Sequence, residues 1–269
     1  MNNLVVIRGG GDIATGIAHR LYQSRFNVVI LEIPKPTVVR RTVAFAQAVI
    51  QGVPMTVEGV TAKLALLDEV EEVLLDKQIP VLLAPELPTV KHVITRLKPL
   101  AIVDAIIAKH NLGTTIADAP IVIGVGPGFM AGVDVHAVVE TMRGHDLGRV
   151  IYQGEAIANT GVPGEIAGYT LERLIKAPTA GRFTSCRQIG EKVAAGEVIG
   201  HVDDDPVMVA IEGVLRGLLQ NGILVKQGMK LGDVDPRCCR EHCFLISDKA
   251  RAIGGGVLEA LLHLGGQHE

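Results

Sequence analysis

Tryptophan is absent from this chain of 269 residues, and aromatic residues make up only 3% of it. That removes the stacking platforms on which single-stranded nucleic acids are usually held. Charge of one sign is lacking as well: the formal net charge is −3, so no broad basic field points to a nucleic-acid partner. No uncharged apolar run reaches 18 residues; even the stretch from Pro99 to Ala108 is broken by Asp104. A membrane span is therefore not expected. The start, Met1-Asn2-Asn3-Leu4-Val5-Val6-Ile7-Arg8, has no signal-peptide pattern. Cysteine is scarce, and its four copies are unevenly placed, which argues against a secreted disulfide framework. These absences describe a cytoplasmic protein with reduced thiols, no membrane and no nucleic acid. The length is enough for two domains with well-buried cores.

What is abundant is glycine, 31 residues gathered in motifs. Leu4 to Arg8 reads as a buried parallel strand. It runs into Gly9-Gly10-Gly11-Asp12-Ile13-Ala14, a G-x-G-x-x-A turn, and then into a helix with Ile13, Ile17 and Leu21 at helical spacing. A second apolar run, Asn27 to Leu31, ends in Glu32, where dinucleotide-binding folds place the carboxylate that holds a ribose hydroxyl. Glycines let the backbone approach a pyrophosphate, and a helix N-terminus supplies free N–H groups and the positive end of a dipole. The alternation then continues. A strand is expected at Met55–Glu58 and a helix at Ala65–Leu75. A strand follows at Ile79–Ala84, then a helix at Thr89–Leu97 capped by Thr89, and a strand at Leu100–Asp104. Repeated βα units predict an α/β fold, with a Rossmann-like doubly wound sheet over residues 1–120. Asp104 stands at a carboxyl strand end, the edge where such sheets bind ligands.

Residues 121–237 read as β-rich. Ile121 to Val125 is a strand entering a second glycine turn, Gly126-Pro127-Gly128. A β-hairpin is expected over 133–152. It carries Asp134, His136, Glu140, Arg143, His145, Asp146 and Arg149. His136 and His145 could hold a metal, Arg143 and Arg149 could hold a phosphate or carboxylate, and all could equally be solvated surface. Gly126, His136 and Arg143 are taken as ligand-binding candidates, and no metal ligand set is assigned.

Between residues 175 and 235 one pattern occurs twice, 32 positions apart. Gly181, Gly190, Val193, Gly196, Ile199 and Gly200 return as Gly213, Gly222, Val225, Gly228, Leu231 and Gly232. A repeated unit of this size buries its apolar face on its copy. The pattern resembles the barrel-sandwich hybrid of biotinyl and lipoyl carrier domains. Those carriers present a modifiable lysine between their halves. Here the join is His201-Val202-Asp203-Asp204-Asp205-Pro206-Val207-Met208, with no lysine, so a swinging arm is not expected.

The remaining segment, 238–269, opens with Cys238-Cys239-Arg240-Glu241-His242-Cys243 and ends in a helix, Asp248–His263, capped by Ser247. Three thiols so close could form a soft metal site or handle sulfur, or be small half-buried side chains. The spacing fits no standard zinc module. Arg237 and Arg240 would lower a thiol pKa nearby. Cys243, with Arg237 and Asp235, is the candidate catalytic group.

Several long strings are more specific than any of these patterns. They are Arg8 to Asp12, Gly124 to Phe129 with Asp134-Val135-His136, and Glu140 to His145. Gly213 to Leu218, Lys230 to Arg237 and Ser247 to Ile253 complete the set. Through them the whole chain resembles the YqeB family, accessory proteins associated with selenium-dependent molybdenum hydroxylases. The resemblance implies a maturation role that binds a nucleotide or the molybdenum cofactor, a pterin dinucleotide. It implies as partner a molybdenum hydroxylase or its cofactor-maturation proteins. Whether the protein is itself an enzyme stays open. An NAD-dependent oxidoreductase is the alternative, though no Tyr-x-x-x-Lys pair accompanies Tyr22, Tyr152 or Tyr169. A non-catalytic binding module is the second, and a homo-oligomer is possible.

Overall fold

The computed structural model describes residues 3–266. The chain divides into two compact units. The first holds the residues up to Pro36, Ala44–Asn159 and the residues from Ile246 on; the second holds Thr37–Val43 and Thr160–Leu245.

The first unit is built on one nine-stranded sheet. In chain order its strands are β1 (Leu4–Arg8), β2 (Asn27–Glu32), β3 (Met55–Val57), β4 (Val60–Leu64), β5 (Ile79–Leu83), β6 (Ala101–Asp104) and β7 (Ile121–Val125). After a short β8 (Met130–Ala131) come β9 (Ala137–Val139) and β10 (Val150–Ile151); a minor strand, β11 (Gly154–Glu155), pairs with β8. The spatial order is β10-β9-β7-β6-β1-β2-β5-β4-β3, parallel except at the two edges. The helices are α1 (Asp12–Gln23), α2 (Gln47–Gln51), α3 (Val70–Leu75), α4 (Leu87–Leu97) and α5 (Asp248–Gly265). The central strands are apolar except at their ends because both faces are covered: Leu4 to Ile7 and Ile121 to Ile123 are fully buried. Ser247 accepts a hydrogen bond from the Ala250 amide and caps α5, as its position predicts. In α4 the helix starts two residues before the expected Thr89, with Glu86 at the N-cap, because Pro88 fits the first turn. The expected helix 65–75 shrinks to α3 and a short 3-10 turn, since the Ala65 amide donates to Val81 and prolongs the sheet.

The expected fold class needs correction in both halves. The Rossmann-like doubly wound order is 3-2-1-4-5-6. Here β5 lies between β2 and β4, and β3 turns back antiparallel at the edge. No α-helix joins β6 to β7 or β7 to β9 among the described residues. Instead α5, contributed from beyond residue 245, packs on α1, β7, β9 and β10. The anticipated boundary at residue 120 falls between β6 and β7, which are hydrogen-bonded neighbours. The hairpin 133–152 does form through β9 and β10, but β9 also pairs in parallel with β7, so it belongs to the large sheet.

In the second unit the repeat does not make the expected barrel-sandwich-like body. Its strands are β12 (Leu174–Lys176), β13 (Gly181–Ser185), β14 (Lys192–Val193), β15 (Val198–Val202), β16 (Asp205–Met208), β17 (Gly213–Leu218), β18 (Leu224–Val225) and β19 (Lys230–Asp235). They form two separate antiparallel sheets, β12-β19-β17-β14 and β16-β15-β13-β18. Each half of the repeat lends its middle strand to the other's sheet, β14 to β17 and β18 to β13. β12 and β16, at the equivalent edges of the two sheets, are also 32 positions apart, Ile175 answering Val207, and keep the symmetry of the repeated text. Phe183, Ile199, Val202, Val214, Leu215, Leu218, Leu231 and Val234 share one core.

The protein is thus a mixed α/β structure with a large, mostly parallel sheet and several antiparallel sheets. No helix of the described residues is long and apolar enough to cross a membrane.

Candidate functional site

The strand order reverses about β1, which has β2 on one side and β6 on the other. Ligands of open α/β sheets bind outside the carboxyl ends of strands at such a point. Three sequence candidates gather there: the turn Gly9–Ala14, Glu32 and Asp104.

The turn is held from two sides. The Gly9 amide donates to Leu31 O at 2.8 Å, and the Gly10 amide donates to Glu32 Oε2 at 2.8 Å. The Ile33 amide donates to the other carboxylate oxygen, Oε1, at 2.7 Å. Burial pushes the Glu32 carboxyl above its ordinary value, and these two N–H donors pull the other way without cancelling it. The Ala46 amide donates to Gly10 O at 2.8 Å, so the segment leading into α2 lies against the turn. A Cβ at Gly10 would stand 2.9 Å from Ala46 N, which explains why only glycine fits. Gly11 is the N-cap of α1 and has no side chain with which to cap it. Asp12, Ile13 and Ala14 form the first turn of the helix, and Asp12 complements the dipole there.

Asp104 is held by protein groups. Arg8 Nη1 lies 3.0 Å from Asp104 Oδ2, and both side chains are almost wholly buried. Thr114 Oγ1 donates to the same oxygen at 2.6 Å, while the Ile106 amide reaches Oδ1 at 3.3 Å. Arg8 also donates to Leu112 O at 3.2 Å. A buried charge is tolerated only when paired and hydrogen-bonded, and this pair meets that condition without a ligand.

The other candidates in the first unit are likewise engaged. The Gly126 amide donates to Val139 O at 2.9 Å. His136 Nδ1 accepts from the Val122 amide at 2.9 Å, which fixes the ring against β7. Arg143 forms a two-point ion pair with Asp248, at 2.6 and 3.0 Å, instead of awaiting an anion. Glu140 accepts from the Thr141, Met142 and Ile157 amides and staples the loop after β9.

In the second unit, Cys243, the candidate catalytic group, lies in the core. Its side chain is fully buried, and its thiol donates to Leu215 O across 3.6 Å. Burial pushes the thiol pKa up. Arg40 and Arg216 pull it down, Asp235 and Asp233 push it up, and the sum is upward. A nucleophilic thiolate needs the opposite. Arg237 is committed to Asp235 through two contacts of 2.9 and 2.7 Å. Burial would raise the Asp235 carboxyl, but these bonds outweigh it and hold it below its ordinary value. Cys238 is exposed and Cys239 half-exposed. Among the described residues no group of three or more His, Cys, Asp or Glu could hold a metal.

Sequence reasoning missed the charged groups buried around this cysteine. Arg40, Arg173, Arg216 and Asp233 are all buried with Asp235. Arg173 lies 3.8 Å from Asp233, and Arg216 lies 3.9 Å from Asp235. Arg216, Asp233 and Asp235 sit within β17 and β19 among buried neighbours; charges inside apolar strands were the available signal.

The chain is 52% identical over 265 residues to "Uncharacterized protein YqeB" of Escherichia coli (strain K12), a match covering 98% of this chain and 48% of that protein. This chain belongs to the YqeB family. It spans about half the length of that curated relative. No family model matches it. Among solved structures, a succinylglutamate desuccinylase/aspartoacylase from Rhodobacter sphaeroides is 22% identical, covering 32% of this chain and 29% of its own, with a TM-score of 0.22. An aspartoacylase family protein from Mesorhizobium loti is 10% identical over 86% and 84% of the two chains, with a TM-score of 0.26. A succinylglutamate desuccinylase from Silicibacter sp. TM1040 is 12% identical over 87% and 84%, with a TM-score of 0.25. The YqeB string Arg8–Asp12 forms the turn at the reversal point, and Lys230–Arg237 supplies the two buried aspartates of the second unit.

Proposed function

We propose that this YqeB-family chain is an accessory protein of a selenium-dependent molybdenum hydroxylase system. In this reading it holds a nucleotide, or the nucleotide-bearing molybdenum cofactor, at the turn Gly9–Ala14. The observation that carries the ligand half is the junction of β1 and α1: an uncapped helix N-terminus at the reversal point, with Glu32 hydrogen-bonded to Gly10 beside it. The residues fit such a ligand. First-turn N–H groups of a glycine-capped helix would face a pyrophosphate. Glu32 uses one backbone donor on each oxygen, and a carboxylate has about four lone-pair sites, so it can still accept a ribose hydroxyl. The accessory half rests on the family, and the hydroxylase is its proposed partner.

NAD would use the same groups, so one experiment must separate the readings. Purified protein, released from its native host under mild conditions, is denatured and the small molecules are identified by mass spectrometry. A pterin dinucleotide, or another nucleotide without nicotinamide, supports the proposal. NAD as the stoichiometric ligand would replace it with the oxidoreductase reading, and absence of any nucleotide, with none bound on titration, would remove it.

A further inference from the structure

A cavity of about 150 Å³ opens in the first unit between α1 and the start of α5, lined by Gly16, His19, Arg20, Gln23, Ile246 and Arg251. Cavities of about this volume hold a six-membered ring, so a phosphate-sized group has room. Only Ile246 offers an apolar side chain, which argues against a greasy ligand. Three of the six residues are basic.

The donors are unequally committed. Arg251 gives one nitrogen, Nη2, to both oxygens of Glu58, at 2.7 Å each, which leaves Nη1 and Nε unused among the described residues. Arg20 has no acidic partner among the described residues. His19 Nε2 lies 3.4 Å from Glu58 O, and Nδ1 is the ring nitrogen not engaged there. Arg20 and Arg251 against Glu58 leave one positive charge in excess before His19 is counted. The first turn of α5 begins at Asp248, between Ile246 and Arg251, and its positive dipole end adds to this field. Arg20, in the last turn of α1, offsets the negative end of that helix.

We propose that this cavity is a binding site for a small phosphate-class oxyanion, separate from the turn Gly9–Ala14. Guanidinium groups suit that chemistry because their planar N–H forks match the oxygens of phosphate. His19, Arg20 and Gln23 lie in the second half of α1, whose 12 residues span about 18 Å, so a phosphate held by Arg20 is not the one at the glycine turn.

The test titrates the full chain at low salt by calorimetry, with inorganic phosphate in one arm and ribose 5-phosphate in the other. Saturable binding is expected, weakened about tenfold in Arg20→Gln. The tighter arm identifies free phosphate or a phosphate ester as the ligand. The Arg20 side chain makes no ion pair or hydrogen bond among the described residues, so its variant decides the matter even if Arg251→Gln unfolds. Failure of both ligands to saturate, or unchanged binding in Arg20→Gln, overturns the proposal.

Discussion

The Gly10 amide and the Glu32 carboxylate meet at 2.8 Å and tie the first glycine turn to the end of the neighbouring strand. If Glu32 also accepts a ribose hydroxyl, Glu32→Ala removes a charge-assisted bond worth about 1.5 to 3 kcal/mol, a loss of about tenfold to a hundredfold in affinity. Calorimetry with NAD, CTP and a pterin dinucleotide checks this; unchanged affinity for all three takes Glu32 out of the site. The pH dependence has a defined sign. The folded pKa lies above the ordinary value of 4.5. Glu32 therefore stabilises the fold below pH 4.5, and that contribution is lost as pH rises through the folded value. The ribose bond needs the ionised form, so binding should weaken on acidification while the pH is still above 4.5.

Asp104 should behave oppositely. Removing one partner of a buried, hydrogen-bonded pair costs about 3 to 5 kcal/mol, and Asp104→Ala strands Arg8 in that position. The urea midpoint should fall sharply. Nucleotide affinity of the protein that remains folded should be unchanged, because both Asp104 oxygens already have partners. A variant of ordinary stability that loses its ligand would return Asp104 to the binding site.

Much of the first unit was legible because its signals are local. Apolar runs of strand length, the glycine turn, Glu32 and the Ser247 cap each depend on a few neighbouring residues. Strand order does not. Nothing local in Ile79–Leu83 says that it will sit between β2 and β4. The repeat showed two equivalent halves, yet the exchange of β14 and β18 between sheets depends on long-range pairing. The same limit explains Cys243. Arg237 and Arg240 are near it in sequence, but burial dominates its pKa, and burial is set by Leu215 and its neighbours.

The cysteines therefore make a sharp test. In the native protein, iodoacetamide should label Cys186 and Cys238, which are exposed, and Cys239 more slowly. Cys243 should react only after unfolding. Its folded pKa lies above the ordinary 9.0, so its contribution to stability is present below that pH and is lost as pH rises through the folded value. Mass mapping of alkylation sites against pH reads this directly. Rapid native labelling of Cys243 near neutrality would restore a thiolate role.

The glycine run of α5 should split between adjacent positions. Glycine in a helix interior costs about 0.5 to 1 kcal/mol relative to alanine, so three in a row need a reason. A Cβ at Gly256 would stand 2.2 Å from Gly148 O and 2.9 Å from Val139 Cγ1, while one at Gly255 meets nothing within 4 Å. Gly256→Ala must displace backbone and should destabilise by about 1 to 3 kcal/mol. Gly255→Ala keeps every contact and gains the propensity, so its melting temperature should rise by about 2 °C. Thermal unfolding of the two single variants beside the parent decides the matter. If both substitutions destabilise, the contact with Gly148 is not what selects glycine here. If both stabilise, α5 does not pack as closely on the loop after β9 as the structure places it.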